Sequence, residues 1–177
     1  MSAAAADAAP LIVTAELPPD LHRWATELRR HHFPPERNYL DAHVTLFHAL
    51  PAQLEDELRS LLARLAGASP PVPARLDGLL NLGGGTALRL VSPAMLELRR
   101  DIAERFHGML SGQDSHAPRL HVTIQNKVTS AEARALQATL TGSFMPRDFA
   151  FPALALHRYR GGPWEALRRF AFRGLAK

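Results

Sequence analysis

One tetrapeptide pattern occurs twice in the chain. Residues 43–46 have the sequence His-Val-Thr-Leu and residues 121–124 have the sequence His-Val-Thr-Ile, so the two histidines are 121 − 43 = 78 positions apart. With nine histidines in the chain, only about 0.4 His-x-Thr triplets are expected by chance. Two copies with the same central valine indicate a functional pair rather than two ordinary strands whose polar residues happen to match.

Each copy places a proton-transfer group beside a hydroxyl. In an extended strand successive side chains alternate between faces, so His43 shares a face with Thr45, and His121 shares one with Thr123. Of two histidines that titrate near neutrality, one can remove a proton from a nucleophile while the other delivers a proton to a leaving oxygen. The threonine hydroxyls would hold phosphate oxygens and stabilise their developing charge. This set predicts concerted acid–base catalysis at phosphorus.

Other side chains are candidate substrate contacts. If the second motif strand stays regular, Gln125 and Lys127 lie on the same face as His121. Phe47 occupies the matching place in the first strand, where it either stacks on a base or packs in the core. Three further candidates lie in segments expected at the rim of a cleft: Arg37, Tyr159 and Arg160.

The composition excludes several kinds of site. The 177-residue chain contains no cysteine, which rules out disulfides, cysteine-ligated zinc and thiol catalysis. The remaining histidines show no ligand spacing with carboxylates, so we expect neither a metal nor another cofactor. The net charge of +4 rests mainly on arginine. Arginine suits a phosphate-bearing ligand, although a genomic preference for arginine codons explains the bias equally well.

The sequence also predicts where the protein works. No apolar run approaches the length of a membrane span, and the first ten residues are alanine-rich without the features of a secretory signal. We therefore expect a disordered tail at residues 1–10, a single bilobal domain at residues 11–177, and a cytoplasmic location.

Hydrophobic periodicity and turn residues predict alternating strands and helices. A capping box at Thr129-x-x-Glu132 begins one helix, and Gly83–Gly85 predicts a hairpin turn rather than a phosphate loop. The predicted strands cover residues 11–15, 42–50, 72–80, 86–91, 119–128, 149–159 and 164–172.

The order of these elements repeats. Both halves contain a strand, a helix, a motif strand, a helix and a further strand, and the first strands begin near residues 11 and 86. Such a duplication predicts an α+β fold with two pseudo-symmetric lobes, formed roughly by residues 11–80 and 86–172, between which strands can exchange. A twofold relation would place the two His-x-Thr faces opposite each other across a central cleft.

With its paired His-x-Thr-aliphatic strands in a duplicated α+β chain, the sequence resembles the two-histidine phosphoesterase superfamily, which includes the 2'-5' RNA ligase-like proteins. The resemblance extends from Leu11 to Phe172, and the two motifs are its most specific part. It implies two lobes that each contain a mainly antiparallel sheet with helices outside. It also implies a metal-independent cyclic phosphodiesterase that hydrolyses 2',3'-cyclic phosphates on RNA ends or nucleotides.

The same resemblance assigns roles to the motif residues. His43 would be the general acid and His121 the base that activates water, although the reverse assignment is nearly as consistent with the sequence. Thr45 and Thr123 would bind the phosphate.

The expected partner is a nucleotide or RNA terminus with a cyclic phosphate, without DNA or membrane, bound by a monomer. The alternative is a non-catalytic module that binds RNA ends or nucleotides in the same cleft. RNA ligation is a third candidate activity, but the sequence contains no recognisable adenylation motif.

Overall fold

A computed structural model describes residues 8–176, and residues 1–7 of the predicted tail lie outside the described residues. The eight strands of this part of the chain are β1 (Leu11–Ala15), β2 (Val44–Leu50), β3 (Val72–Asn81), β4 (Thr86–Val91), β5 (His121–Gln125), β6 (Arg147–Phe151), β7 (Ala153–Arg158) and β8 (Glu165–Ala171). Its α-helices are α1 (Pro19–His32), α2 (Glu55–Ala68), α3 (Pro93–Arg105) and α4 (Ser130–Ser143).

The strands form two antiparallel sheets of four strands each. The order is β2-β1-β7-β8 in the first sheet and β5-β4-β3-β6 in the second. Each motif strand is thus an edge strand that pairs with the first strand of its own half. The predicted α+β class with two sheet-containing lobes and a cleft between them is confirmed.

Each half contributes strands to the other half's sheet: β3 from the first half, and β7 with β8 from the second. β3 follows β1 and β2 in the chain but pairs with β4 and β6, whereas β7 pairs with β1. The exchange of strands between the ranges 11–80 and 86–172 thus involves β3, which joins the second sheet, and β7 with β8, which join the first. Alternating hydrophobicity predicts that a segment is a strand but does not specify its partner.

Residues 149–159, predicted as one strand, belong to two. β6 ends at Phe151 and β7 begins at Ala153, with Pro152 between them. Proline has no N–H to give to a ladder, while the Pro152 carbonyl accepts a hydrogen bond from the Phe172 N–H (3.0 Å). The chain passes directly from the second sheet into the first at this residue, so the two sheets are covalently continuous.

Two buried arginines also join the lobes, each from the first helix of one half to the motif strand of the other. Arg29 of α1 donates from Nη1 to the Thr123 carbonyl (2.7 Å). Arg99 of α3 donates from Nε to the Leu46 carbonyl (3.2 Å), and its guanidinium lies 4.2 Å from the centre of the Phe47 ring. Each motif strand is therefore held by its own sheet and by a helix of the opposite half.

Local signals account for the helix that follows β5. The Thr129 hydroxyl accepts from the Glu132 N–H (3.1 Å), and the Glu132 carboxylate accepts from the Thr129 N–H (2.8 Å), which is the predicted capping box.

Within residues 8–176, no helix is long and apolar enough to span a bilayer.

Candidate active site

The two motif histidines have the same local hydrogen bond. His43 Nδ1 lies 2.8 Å from the Asp41 carbonyl, and His121 Nδ1 lies 2.7 Å from the Arg119 carbonyl. A carbonyl can only accept, so each Nδ1 carries a proton and each Nε2 of a neutral ring is left with a free lone pair. Both rings are half-buried and sit at the start of a motif strand. The sequence pattern thus corresponds to two equivalent imidazoles, each oriented by the carbonyl two residues before it.

The first motif strand has a bulge directly after its threonine. Thr45 pairs with Thr14, but the next pair joins Phe47 to Val13, so Leu46 is an extra residue in β2. A bulge changes the face of every residue after it. As a result Phe47 is fully buried beneath the Arg99 guanidinium. Of the two expectations for Phe47, the structure shows packing in the core and not an accessible ring for a base.

The second motif strand has the equivalent bulge. Thr123 pairs with Ala87 and Gln125 with Thr86, which leaves Ile124 as the extra residue of β5. Gln125 consequently points into the core, where its side-chain oxygen accepts from the buried Thr86 hydroxyl (3.0 Å). The expectation that Gln125 shares the cleft face of His121 is wrong, because it assumed a regular strand.

Lys127 lies beyond the end of β5 rather than on it. Its backbone has φ 60°, a left-handed conformation that is uncommon for a residue with a side chain. It borders a surface cavity of about 480 Å³ together with Arg37, Tyr39 and Asn126. We call this cavity the cationic rim. Lys127 therefore reaches this cavity through the loop after β5, and not through the strand alternation that the sequence predicted.

A cavity of about 350 Å³, which we call the central cavity, contains residues of both lobes. His43 and Thr123 line it, one from each motif. Arg37 and Tyr159 line it too. Arg160 instead pairs with Glu165 across the β7–β8 hairpin, with Nε 2.7 Å from the carboxylate. Thr45 is half-buried on β2, opposite Thr14.

His43 is enclosed by aromatic and charged neighbours. The Trp164 ring meets it edge-on at a centroid distance of 4.7 Å and also lies 5.5 Å from the His157 ring. This loss of solvent lowers the pKa of His43 to about 4. The hydrogen bond to the Asp41 carbonyl opposes the shift, and the charges of Arg29, His157 and His121 add to it. His43 is therefore neutral near pH 7, and it lies close enough to His121 to be affected by its charge.

A second cavity, of about 510 Å³, lies against His43 and is called here the side cavity. It shares Leu40, His43 and Trp164 with the central cavity. Its remaining wall includes Thr14 and His157, whose Oγ1 and Nε2 are 3.2 Å apart. Burial lowers the pKa of His157, and Glu16 opposes this shift.

Four residues around the motifs were not predicted from the sequence. Trp164, His157 and Arg29 surround His43, and the exposed ring of Tyr39 borders both the central cavity and the cationic rim. Trp164 follows the turn residues Gly161-Gly162-Pro163, so its position at a hairpin tip was a usable signal. Arg29 had no such signal, because an arginine in an amphipathic helix is normally solvated.

Comparisons with known proteins agree with this geometry. The family model of the 2'-5' RNA ligase superfamily matches residues 17–163, a range that contains both motifs. No curated protein matches the chain in a sequence search.

Solved structures share its fold. TT0787 of Thermus thermophilus superposes with a TM-score of 0.66 at 19% identity, over 93% of this chain and 98% of the other. LigT of Escherichia coli, solved in complex with NADP+, gives a TM-score of 0.61 at 19% identity, over 94% of this chain and 99% of the other. LigT in complex with 3'-AMP gives a TM-score of 0.61 at 20% identity, over 93% and 98%.

The family match covers most of the chain, and the fold and the twin histidine motifs agree with it. The chain belongs to the 2'-5' RNA ligase superfamily of two-histidine phosphoesterases.

Proposed function

We propose that the protein is a phosphodiesterase that opens 2',3'-cyclic phosphates on nucleotides or RNA ends by acid–base catalysis between His43 and His121. The observation that carries this proposal is the matched pair of Nδ1–carbonyl hydrogen bonds at the two histidines. These bonds direct the two Nε2 atoms away from the backbone, where they can exchange protons with a substrate. One imidazole can then act as base while the other acts as acid.

The reaction needs only water as the second substrate. The neutral histidine takes a proton from water as its oxygen forms a bond to phosphorus. The bond from phosphorus to one ribose oxygen breaks, and that oxygen receives a proton from the protonated histidine. The product is a phosphate monoester, and the two histidines have exchanged protonation states. Hydroxyls of Thr45 and Thr123 would stabilise the charge on the non-bridging oxygens.

We assign the base to His43 and the acid to His121, the reverse of the assignment implied by the family resemblance. The surroundings of His43 lower its pKa to about 4, mainly by excluding solvent, so the neutral form prevails at pH 7. A base must begin the reaction neutral, whereas an acid must begin it protonated.

The cavities have room for a nucleotide. The central and side cavities, of about 350 and 510 Å³, meet at His43 and Trp164, and ligand sites are commonly about 300–1,000 Å³. Tyr39 and Tyr159 offer aromatic surface beside the central cavity, and Arg37 with Lys127 offers positive charge at the rim. The binding of 3'-AMP and NADP+ by LigT supports a nucleotide as the ligand class.

Turnover of nucleoside 2',3'-cyclic phosphates in excess chelator, followed by phosphorus NMR, tests the activity. We expect a monophosphate product, with a loss of about 100-fold or more in His43→Ala and in His121→Ala. His116→Ala is the matched control, because His116 is exposed and also has a hydrogen bond between Nδ1 and a carbonyl, that of Gly112 (3.0 Å). Full activity in either motif variant would contradict the mechanism. Tight binding by the wild type without product would identify a binding module.

A substrate that needs no acid separates the two roles. Thymidine 3'-(4-nitrophenyl phosphate) releases a stable phenolate and has no 2'-hydroxyl, so water must attack. We expect His121→Ala to regain most of its activity on this ester, while His43→Ala remains slow on both substrates. The opposite result would return the acid role to His43.

A further inference from the structure

Arg29 is a buried cation whose hydrogen bonds all go to neutral groups. Its side chain is 3% exposed. Nε donates to the Asn38 side-chain oxygen (3.2 Å) and the Leu40 carbonyl (3.0 Å), Nη1 donates to the Thr123 carbonyl, and Nη2 donates to Asn38 (3.1 Å). Within residues 8–176, Asp41 is the carboxylate whose charge acts on Arg29, but its own side chain is 66% exposed. The positive charge is therefore held inside the protein without an ion-pair partner in the described residues.

Such an arrangement is costly unless an anion completes it. Buried charges in proteins are normally paired, since removal from water is offset only by a close opposite charge. Desolvation lowers the pKa of Arg29 and the charge of Asp41 opposes this shift, while the guanidinium remains protonated. The hydrogen bonds occupy the Nε proton and one proton on each terminal nitrogen, so Nη1 and Nη2 each retain a second N–H.

The position of Arg29 indicates where the missing anion belongs. Arg29 lines the central cavity together with His43 and Thr123. Among the neighbouring charges that lower the pKa of His43, the charge of Arg29 has the largest effect. Arg29 therefore belongs to the wall of the cavity that one histidine and one threonine of the two motifs also line.

Arg99 provides an internal comparison. It has the equivalent place on α3 and is almost as buried, with 4% exposure. Its guanidinium covers the Phe47 ring, as that of Arg29 covers the Phe33 ring (4.4 Å), and it donates to the carbonyls of Leu46 and Asp114. The buried Asp114 carboxylate also acts on its charge. Of the two related arginines, Arg29 is the one that borders the cavity and has no buried carboxylate beside it.

We propose that Arg29 is a substrate-binding residue whose guanidinium donates to a non-bridging oxygen of the reacting phosphate. The proposal rests on the phosphoesterase function above and adds a ligand for the phosphate charge beyond the two threonines. Arg29 lies on α1 and also donates to the Thr123 carbonyl of β5. Its guanidinium would therefore link the bound anion to both elements. A phosphate in the cavity would thus provide the negative charge beside Arg29 that no buried carboxylate of residues 8–176 provides.

Binding of inorganic phosphate, measured by calorimetry, tests this directly. The variants are Arg29→Met and Arg29→Lys, with Arg99→Met as the matched control. A charge-assisted hydrogen bond predicts that Arg29→Met weakens phosphate binding by about 10- to 100-fold, and that Arg29→Lys lies between the two. Arg99→Met should lower the melting temperature but keep phosphate affinity within about threefold. Equal phosphate affinity in wild type and a folded Arg29→Met would overturn the proposal.

Chemical rescue separates charge from packing. Arg29→Ala leaves a space in which added guanidinium can bind, and urea is its neutral isostere. We expect millimolar guanidinium, but not urea, to restore phosphate binding and turnover of a cyclic phosphate. Rescue by both compounds, or by neither compound in a folded variant, would show that Arg29 has a structural role and does not bind phosphate. If the wild type binds phosphate through Arg29 but hydrolyses no cyclic phosphate, the proposed function fails and this inference stands.

Discussion

His43 acquires its proton affinity from its neighbours rather than from its own strand. The two motifs have the same sequence pattern and the same Nδ1 hydrogen bond, yet only His43 has the Trp164 ring against it at 4.7 Å. A duplicated motif has thus become chemically asymmetric through residues outside it. In the proposed mechanism, this asymmetry would let the two histidines take opposite roles.

The pH dependence of kcat/KM should reflect this environment. A lowered pKa extends the neutral form of His43 to lower pH, so activity that requires the neutral base should persist below pH 6.5 and decline as the pH falls through about 4. Trp164→Ala admits water to the ring, and we expect the acidic limb to move upward towards 6.5. Proton NMR titration of His43 in both proteins provides the direct measurement. An acidic limb at the same pH in both would show that Trp164 does not control His43.

At the scale of the elements, bulges in the strands and a close turn determine the positions of the two motifs. Each motif strand depends on a bulge after its threonine, and the end of β5 depends on the close approach of the turn between β3 and β4. At Gly85, a Cβ atom would lie 2.2 Å from the Gln125 carbonyl oxygen and 2.8 Å from the Asn126 Cα. Both contacts are with backbone, which cannot move aside without shifting the strand.

Gly85→Ala should therefore damage both stability and activity. We expect a loss of about 1–3 kcal/mol in the free energy of unfolding and reduced turnover, because the end of the strand that carries His121 is displaced. Gly142→Ala is the control, since a Cβ there meets nothing within 4 Å and alanine favours the α4 helix. Urea unfolding and activity of the two variants check the prediction. Equal stability of both variants would contradict it.

The exposed edge of β2 is closed by a buried carboxylate. Asp114 accepts from the N–H groups of His48 (2.8 Å) and Ala49 (2.9 Å) and from the His48 ring. Burial raises the pKa of Asp114, but these hydrogen bonds outweigh burial and lower it below 3.8.

We expect Asp114→Ala to cost about 2–4 kcal/mol, because it leaves strand N–H groups unpaired in the interior. In the wild type the contribution of Asp114 should be complete above pH 3.8 and be lost as the pH falls through its lowered pKa. Asp148→Ala provides the comparison, since its ion pair with Arg75 is exposed and should matter little. Chemical denaturation at several pH values measures both effects. A similar cost for the two variants would contradict the assignment.

The sequence predicted the parts of the fold that depend on neighbouring residues. The capping box at Thr129 and Glu132, the turn at Gly83–Gly85 and the paired histidine strands are local patterns with local causes. The inward positions of Phe47 and Gln125 follow from one extra residue in a ladder, which depends on the partner strand. Arg29 was missed for a related reason, since nothing in α1 shows that the opposite lobe covers it.

At the scale of the whole molecule, we expect the two sheets to unfold together. β3 and β7 are each exchanged between halves, and β6 runs into β7 through Pro152. The cores of the two sheets form one cluster of buried residues. A lobe that opened alone would have to break strand pairing with the other half.

The two tryptophans of the chain report on this coupling. Trp24 lines a surface cavity together with Leu79 and Leu88 of the second sheet, and Trp164 lies at the first sheet's hairpin. We expect the single-tryptophan variants Trp24→Phe and Trp164→Phe to show fluorescence transitions in urea with equal slopes, each coincident with loss of circular dichroism. Within either variant, a fluorescence midpoint separated from the circular dichroism midpoint would show that the lobes unfold independently.

The exchange of strands between the halves determines what happens when the chain is cut in two. A cut in the turn at residues 83–85 would yield two fragments, yet neither would contain a complete sheet, so they should remain interlocked and reassemble only as a complementing pair. Each half therefore needs the other to complete the sheet that contains its own motif strand.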